Sequence, residues 1–416
     1  MRILSINNAY YIRGGADRHF FQLNSLLKSQ GQEVIPFSVK NSKNLPSSFE
    51  PFFLSHLDFL GPKRILDYPR MLARVLYSFE AKNKAGVLIK ETRPQIAHVF
   101  QTHHSISPSV LPLFKSYRIP IIHTVFNFDL ICPNYTLFFN GRLCQACKSG
   151  GYLQALLKRC HKGSFRASLL LTLKTFLHRL MKIYENNVDI FIVPSKFMKN
   201  ILIDYRFDKK KLVYIPLFVD TSKYSPSYSH SDYLVYFGRL VEGKGLLTLI
   251  QAMRKISGTK VYITGQGPLE ASLKRFVEEH NLTNVKFLGF REDDNLKVIL
   301  AGARFSVFPS EAYESFGLSI IESFAMGKPV IGSNLGPIPE IIEEGINGLL
   351  FEPGDAEDLA DKIQYLIDHQ DLAGKMGRRA RAKAEKEYNP KAYYDRIMEV
   401  YRQALGSKHK PVGVYG

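Results

Sequence analysis

The sequence predicts an α/β protein of two doubly wound parallel sheets, one in each half of the chain, facing each other across a cleft. Three observations lead there. At 416 residues the chain is too long for one ordinary core. Short apolar runs alternate with stretches of helical spacing in both halves. A polar Ser/Tyr stretch over 224–231 separates the two series and serves as the linker.

The elements follow in order. Arg2 to Ile6 reads as a buried strand, and residues 7–15 as a loop ending in Gly14-Gly15. Ala16 to Gln30 carries Phe20, Phe21, Leu23, Leu26 and Leu27 at helical spacing, with Gly31 placed to end the helix. Val34 to Val39 is the next strand, so the chain opens as a βαβ unit with a glycine turn. Further strands are expected at 95–100, 120–125 and 189–193. The second series has strands at 233–237, 260–264, 285–288, 305–308 and 329–332, with helices such as 246–255 and 269–280 between them. Ligands of such folds bind outside the carboxyl ends of the strands.

Composition narrows the function. Apolar residues make up 45% and charged residues 23%, as in a folded water-soluble protein. No apolar run approaches the roughly 18 residues of a spanning helix, and the amino terminus does not read as a signal peptide. The expected location is cytoplasmic. The net charge of +18 is uneven: residues 1–230 hold 32 basic against 13 acidic side chains, and residues 231–416 hold 24 against 25. The first half therefore meets something anionic. No module that reads DNA or RNA is evident, which favours an anionic membrane surface.

The segment Phe308 to Val330 is the most informative. A strand leads into a loop with Glu311 and Glu314, then a helix from about Phe316 to Met326 with Glu322 among apolar neighbours. A carboxylate there needs a partner. A sugar hydroxyl pair is one, a salt bridge another. The backbone N–H groups of Phe316, Gly317 and Leu318 form an anion seat at the helix start. A second loop, Gly238 to Gly245, places Arg239 and Lys244 five residues apart after a strand. Two cations there can stabilise a departing diphosphate.

These two segments together resemble the signature of the family 4 retaining glycosyltransferases, which have the GT-B fold. The likeness runs from Gly14-Gly15-Ala16 to a closing helix at about Ala392 to Leu405. The resemblance implies that Arg239 and Lys244 hold the diphosphate of a UDP- or GDP-sugar and that Glu322 holds the ribose. It also implies that Glu314 contacts the transferred sugar and that the Gly14-Gly15 loop approaches the phosphates. With the linker as boundary, it implies an acceptor domain of residues 1–225, which the charge also turns to the membrane, a donor domain of 226–384, and a carboxyl-terminal segment, 385–416, returning to the first. Retention of configuration, no metal essential for catalysis, and a glycan or lipid-linked acceptor follow from the same likeness. The chain departs from the pattern where Phe100 and Phe126 stand in place of acceptor-side histidines; His103 and His104 lie close enough in sequence to substitute. That departure keeps a donor-binding but inactive subunit open beside the transferase, with a nucleotide-sugar epimerase of the same fold as a further alternative.

All four cysteines, Cys132, Cys144, Cys147 and Cys160, fall in one stretch spaced C-x11-C-x2-C-x12-C. The pattern fits a structural zinc ion or four free thiols. Two basic amphipathic stretches, 63–90 and 156–184, read either as lipid-facing helices or as surface helices with their apolar face turned inward. Asp293-Asp294 reads as a helix start rather than a metal motif.

Overall fold

The computed structural model describes residues 1–57, 74–102 and 105–406. His103, His104 and residues 63–73 of the first basic stretch lie outside the described residues. In the first half the strands are β1 (Arg2–Ile6), β2 (Glu33–Phe37), β3 (Ile96–Val99), β4 (Ile121–Thr124), a small hairpin of β5 (Phe138–Phe139) and β6 (Arg142–Leu143), β7 (Ile190–Val193) and β8 (Leu212–Tyr214). The second half holds β9 (Tyr233–Phe237), β10 (Lys260–Thr264), β11 (Val285–Gly289), β12 (Ser306–Phe308), β13 (Val330–Ser333) and β14 (Gly348–Phe351).

Among the described residues these form two parallel six-stranded sheets, ordered β2-β1-β3-β4-β7-β8 and β11-β10-β9-β12-β13-β14. The expected fold is present. Both faces of each sheet are buried because alternate residues feed different cores. Ile3 packs with Phe20 and Leu23 on one side, while Leu4 and Ile6 pack with Val99 and Phe114 on the other. The strand order reverses between β1 and β3 in the first sheet and between β9 and β12 in the second. Those reversals open the crevices where ligands bind.

Two edge strands, β8 and β14, were not expected from the sequence. Each is three or four residues long and pairs on one side only.

The last described helix packs on the first domain. Helix Gln370–Glu387 packs against the second domain through Ala373, Met376 and Ala380. At Asn389 the side chain accepts a hydrogen bond from Ala392 N at 2.8 Å, and Pro390 opens the closing helix Pro390–Gly406. Its buried face, Tyr393, Ile397, Val400, Tyr401 and Ala404, joins the core around Ile3 and Phe20. Tyr401 Oη lies 2.7 Å from His98 Nδ1 on β3, and Tyr393 Oη lies 3.0 Å from His19 Nε2 on the first helix, Gly15–Ser29.

Candidate active site

The loops leaving β9 and β12 meet at the strand reversal of the second sheet. Gly245 caps helix Leu246–Met253 with φ +66°, and a Cβ there would stand 1.7 Å from the Pro309 carbonyl oxygen. No other residue fits that approach. The Gly243 carbonyl accepts from Glu311 N at 2.8 Å and Ala312 N at 2.9 Å. With its backbone fixed, Lys244 reaches Glu314: Nζ to Oε1 is 2.6 Å, and Ser310 Oγ donates to the same oxygen at 2.6 Å. Thr248 Oγ1 donates to Glu311 Oε1 at 2.5 Å. Arg239 is exposed and makes no ion pair among the described residues. The buried Tyr236 hydroxyl donates to the Arg239 carbonyl at 2.9 Å. Burial pushes the Tyr236 phenol well up, the Glu314 charge pushes it further, and Arg239 opposes both. One hydroxyl therefore feels both site charges.

Helix Leu318–Ala325 starts beside this loop at Gly317. Its opening N–H groups have no partner within the helix. The Phe316 ring is buried against Tyr388, so only the backbone of Phe316 can serve a ligand. Across the cleft stands the glycine turn of the first domain, braced by Arg13 Nε on Asp17 Oδ2 at 3.0 Å and by Asn7 Nδ2 on Asp17 Oδ1 at 2.9 Å. A Cβ on Gly15 would come within 3.0 Å of Leu318 Cδ1. One turn further along both helices, Arg18 Nη1 meets Glu322 Oε1 at 2.7 Å. The amino-terminal turns of two helices thus lie side by side, both presenting positive dipole ends.

That ion pair supplies one of the two partners expected for Glu322. Glu322 is buried among apolar residues, as anticipated, but Arg18 satisfies it, so a ribose is not required to explain it. Arg18 is the site residue that sequence reasoning missed. A cation in the opening turn of a helix opposes the dipole, and that was the available signal. Phe100 does correct an expectation. Its ring is 2% exposed, stacks on His98 at 4.2 Å and meets Phe20 edge-on, so it belongs to the core and not to an acceptor surface. Phe126 is half-buried and packs against the cores of both domains.

The β5–β6 hairpin reaches the same loop from the first domain. Gly141 N donates to Glu242 Oε1 at 3.0 Å, and the Phe138 ring lies 3.3 Å from where a Cβ on Gly243 would stand. Behind it, all four cysteines line one small pocket with Leu137, Phe138 and Tyr205, as free thiols. Burial, and then the neighbouring sulfurs, push Cys147 up to about 12 and Cys160 up to about 11. Their chemistry suits zinc, yet among the described residues no three His, Cys, Asp or Glu side chains are arranged as a metal site. A third contact between the domains is made by Glu340, which accepts from Lys196 N and Phe197 N at 2.8 and 2.6 Å.

Residues 13–223 match the family described as Glycosyltransferase Family 4, and residues 220–383 match Glycosyl transferases group 1. An uncharacterized glycosyltransferase of Methanocaldococcus jannaschii is 29% identical over 53% of this chain and 62% of its own. The N-acetyl-alpha-D-glucosaminyl L-malate synthase of Bacillus anthracis is 31% identical over 41% of this chain and 45% of its own. The chain spans about half the length of these curated relatives. Among solved structures, HepE of Anabaena in complex with UDP-glucose aligns with a TM-score of 0.67 at 17% identity, covering 97% of this chain and all of the other. The two family matches abut at the same place where one sheet gives way to the next, and the chain belongs to the family 4 glycosyltransferases, with their GT-B fold.

Proposed function

We propose that this protein is a retaining hexosyltransferase that carries a sugar from a UDP- or GDP-sugar to a glycan or lipid-linked acceptor, working at the inner face of a membrane in cell-surface polysaccharide assembly. The observation that carries the reading is the Lys244–Glu314 pair in the β9 and β12 loops, with the exposed Arg239 in the same β9 loop as Lys244. An arriving diphosphate competes with Glu314 for Lys244, and the sugar hydroxyls then take over the Glu314 carboxylate. Arg239, Lys244 and the N–H groups at Gly317 and Leu318 stabilise charge as the diphosphate departs. The acceptor hydroxyl attacks from the face the leaving group vacates, assisted by the departing phosphate. Ribose hydroxyls fall to Glu322, which frees Arg18 to face the phosphates beside Gly14 and Gly15. Catalysis on this reading needs no metal, because the cations supply the charge.

Residues 226–384 are assigned to the donor, and residues 1–225 with the closing segment to the acceptor and the membrane. The surplus of basic residues in the first domain supports that division. A zinc ion drawn in by the four thiols would be structural, since four thiolates leave no open position. Elemental analysis of protein purified without added metal tests it.

A donor screen by thermal shift, followed by turnover with membrane extract as acceptor, tests the whole reading. Transfer with retained configuration is the expected result. Firm donor binding without transfer across a broad acceptor panel would favour an inactive donor-binding subunit.

A further inference from the structure

Helix Phe165–Leu180 is inside out. It buries Ser168, Lys174, Thr175 and His178 along with one leucine, Leu171. It exposes Phe165, Leu169, Leu173, Phe176 and Leu180, with relative exposures between 36% and 66%. Those five recur at steps of four, four, three and four residues, so they form one continuous stripe along the helix. The short helix packed beside it adds exposed Leu153 and Leu157. A helix in water normally turns the opposite way, and an apolar stripe rimmed by polar residues marks an interaction surface.

Charge identifies the partner. Between Asp129 and Glu185 the chain has nine basic residues and no acidic one. Lys158, Arg159, Lys162, Arg166 and Lys182 surround the stripe, are exposed, and form no ion pair among the described residues. A second copy of this chain would bring like charges face to face. An anionic bilayer offers both what the stripe and what its border require: hydrocarbon for Phe and Leu, and phosphate for Lys and Arg.

We propose that the Phe165–Leu180 helix is the membrane anchor of the protein, lying in the plane of an anionic bilayer with its phenylalanines and leucines among the acyl chains. This inference rests on the membrane-side reading given above and names the surface responsible. No helix among the described residues is long and apolar enough to cross a membrane, so the contact is interfacial.

The test uses the full chain with vesicles of phosphatidylcholine, with and without phosphatidylglycerol. The chain has no tryptophan, so Leu173→Trp supplies a single reporter. Its emission should shift to the blue, and brominated acyl chains should quench it, only with anionic vesicles. Phe165→Gln combined with Phe176→Gln should weaken vesicle binding by at least about tenfold for each change. Nucleoside-diphosphate binding in solution should be unchanged, which separates failure of this proposal from failure of the donor assignment. Undiminished binding by the double variant, or no blue shift, overturns the proposal. A loss of thermal stability in vesicle-free buffer also overturns it, because the stripe would then be covered by the chain itself. Equally, a change in molecular mass on substitution would assign the face to a second copy and overturn it.

Discussion

Arg18 Nη1 lies 2.7 Å from Glu322 Oε1, and this ion pair joins two helices from different domains that are 304 residues apart in sequence. The Glu322 side chain is 7% exposed and that of Arg18 30%. Removing the cation takes a charged partner from a buried carboxylate. Arg18→Met should cost about 1–3 kcal/mol, below the full price of breaking an ion pair that is wholly buried, because Arg18 is partly solvated. Adding Glu322→Gln should restore part of that loss. Urea midpoints of the two single variants and the double variant measure it; strict additivity would mean the pair does not couple.

Lys244 and Glu314 share a hydrogen bond but have different assignments, and kinetics can separate them. Lys244→Ala and Arg239→Ala should each weaken nucleoside-diphosphate binding by about 10- to 100-fold, the range for charge-assisted hydrogen bonds. Arg239 is exposed, so its replacement should leave folding unchanged. Arg239→Lys should also bind poorly, because the planar fork is lost. Glu314→Gln should cut transfer far more than nucleotide binding. Near-normal kinetics in both cation variants would remove the diphosphate assignment.

Phe100 and Phe126 should behave differently despite standing at matching places in the sequence pattern. Phe100→Ala should destabilise the fold by about 3–5 kcal/mol, as for a large side chain lost from a core, without changing acceptor choice among molecules that remain folded. Phe126→His, at a half-buried position, should alter acceptor preference with a smaller change in stability. Chemical denaturation and an acceptor panel read the two effects separately.

Buried imidazoles give the fold an acid limit. Burial lowers His19 to about 3 and His178 to about 4, and holds His98 well below its ordinary value. In the unfolded chain these groups take up protons near pH 6.5. Between that pH and about 4 the unfolded state therefore binds more protons. Stability should fall with pH through this window by about 1.4 kcal/mol per pH unit for each histidine. Urea midpoints from pH 7 down to 5 should show it, and His178→Gln should flatten the slope. A midpoint independent of pH would mean the histidines are not held neutral.

Sequence patterns reported what is local and fell silent on what is distant. The runs YLVYF at β9 and KVYIT at β10 mark strands because they are short, β-branched or aromatic and largely buried, and their bounds agree with the structure. The glycine loop around Lys244 was legible as a loop because its backbone constraint sits within eight consecutive residues. Arg18 offered only a cation in an opening helical turn, since nothing near it in sequence names Glu322 as its partner. The stretch around 156–184 was readable as basic and amphipathic. Which side faces inward was not, because Lys174 and His178 go inside against the usual preference.

The return of the closing helix to the first domain has a consequence for how the protein is made. Tyr393, Ile397 and Tyr401 complete a core whose other members include Ile3, Phe20 and Ile96. The ribosome delivers those early residues long before their late partners, by roughly 20–80 s at ordinary elongation rates of about 5–20 residues per second. Throughout that interval His98 lacks its Tyr401 hydroxyl and the first sheet keeps part of one apolar face uncovered. The second domain, whose core is drawn from a continuous length of chain, has everything it needs first. Synthesis therefore runs opposite to the order of folding: the half that emerges first is the half that finishes last, and it is the nascent first domain that a chaperone would have to shield.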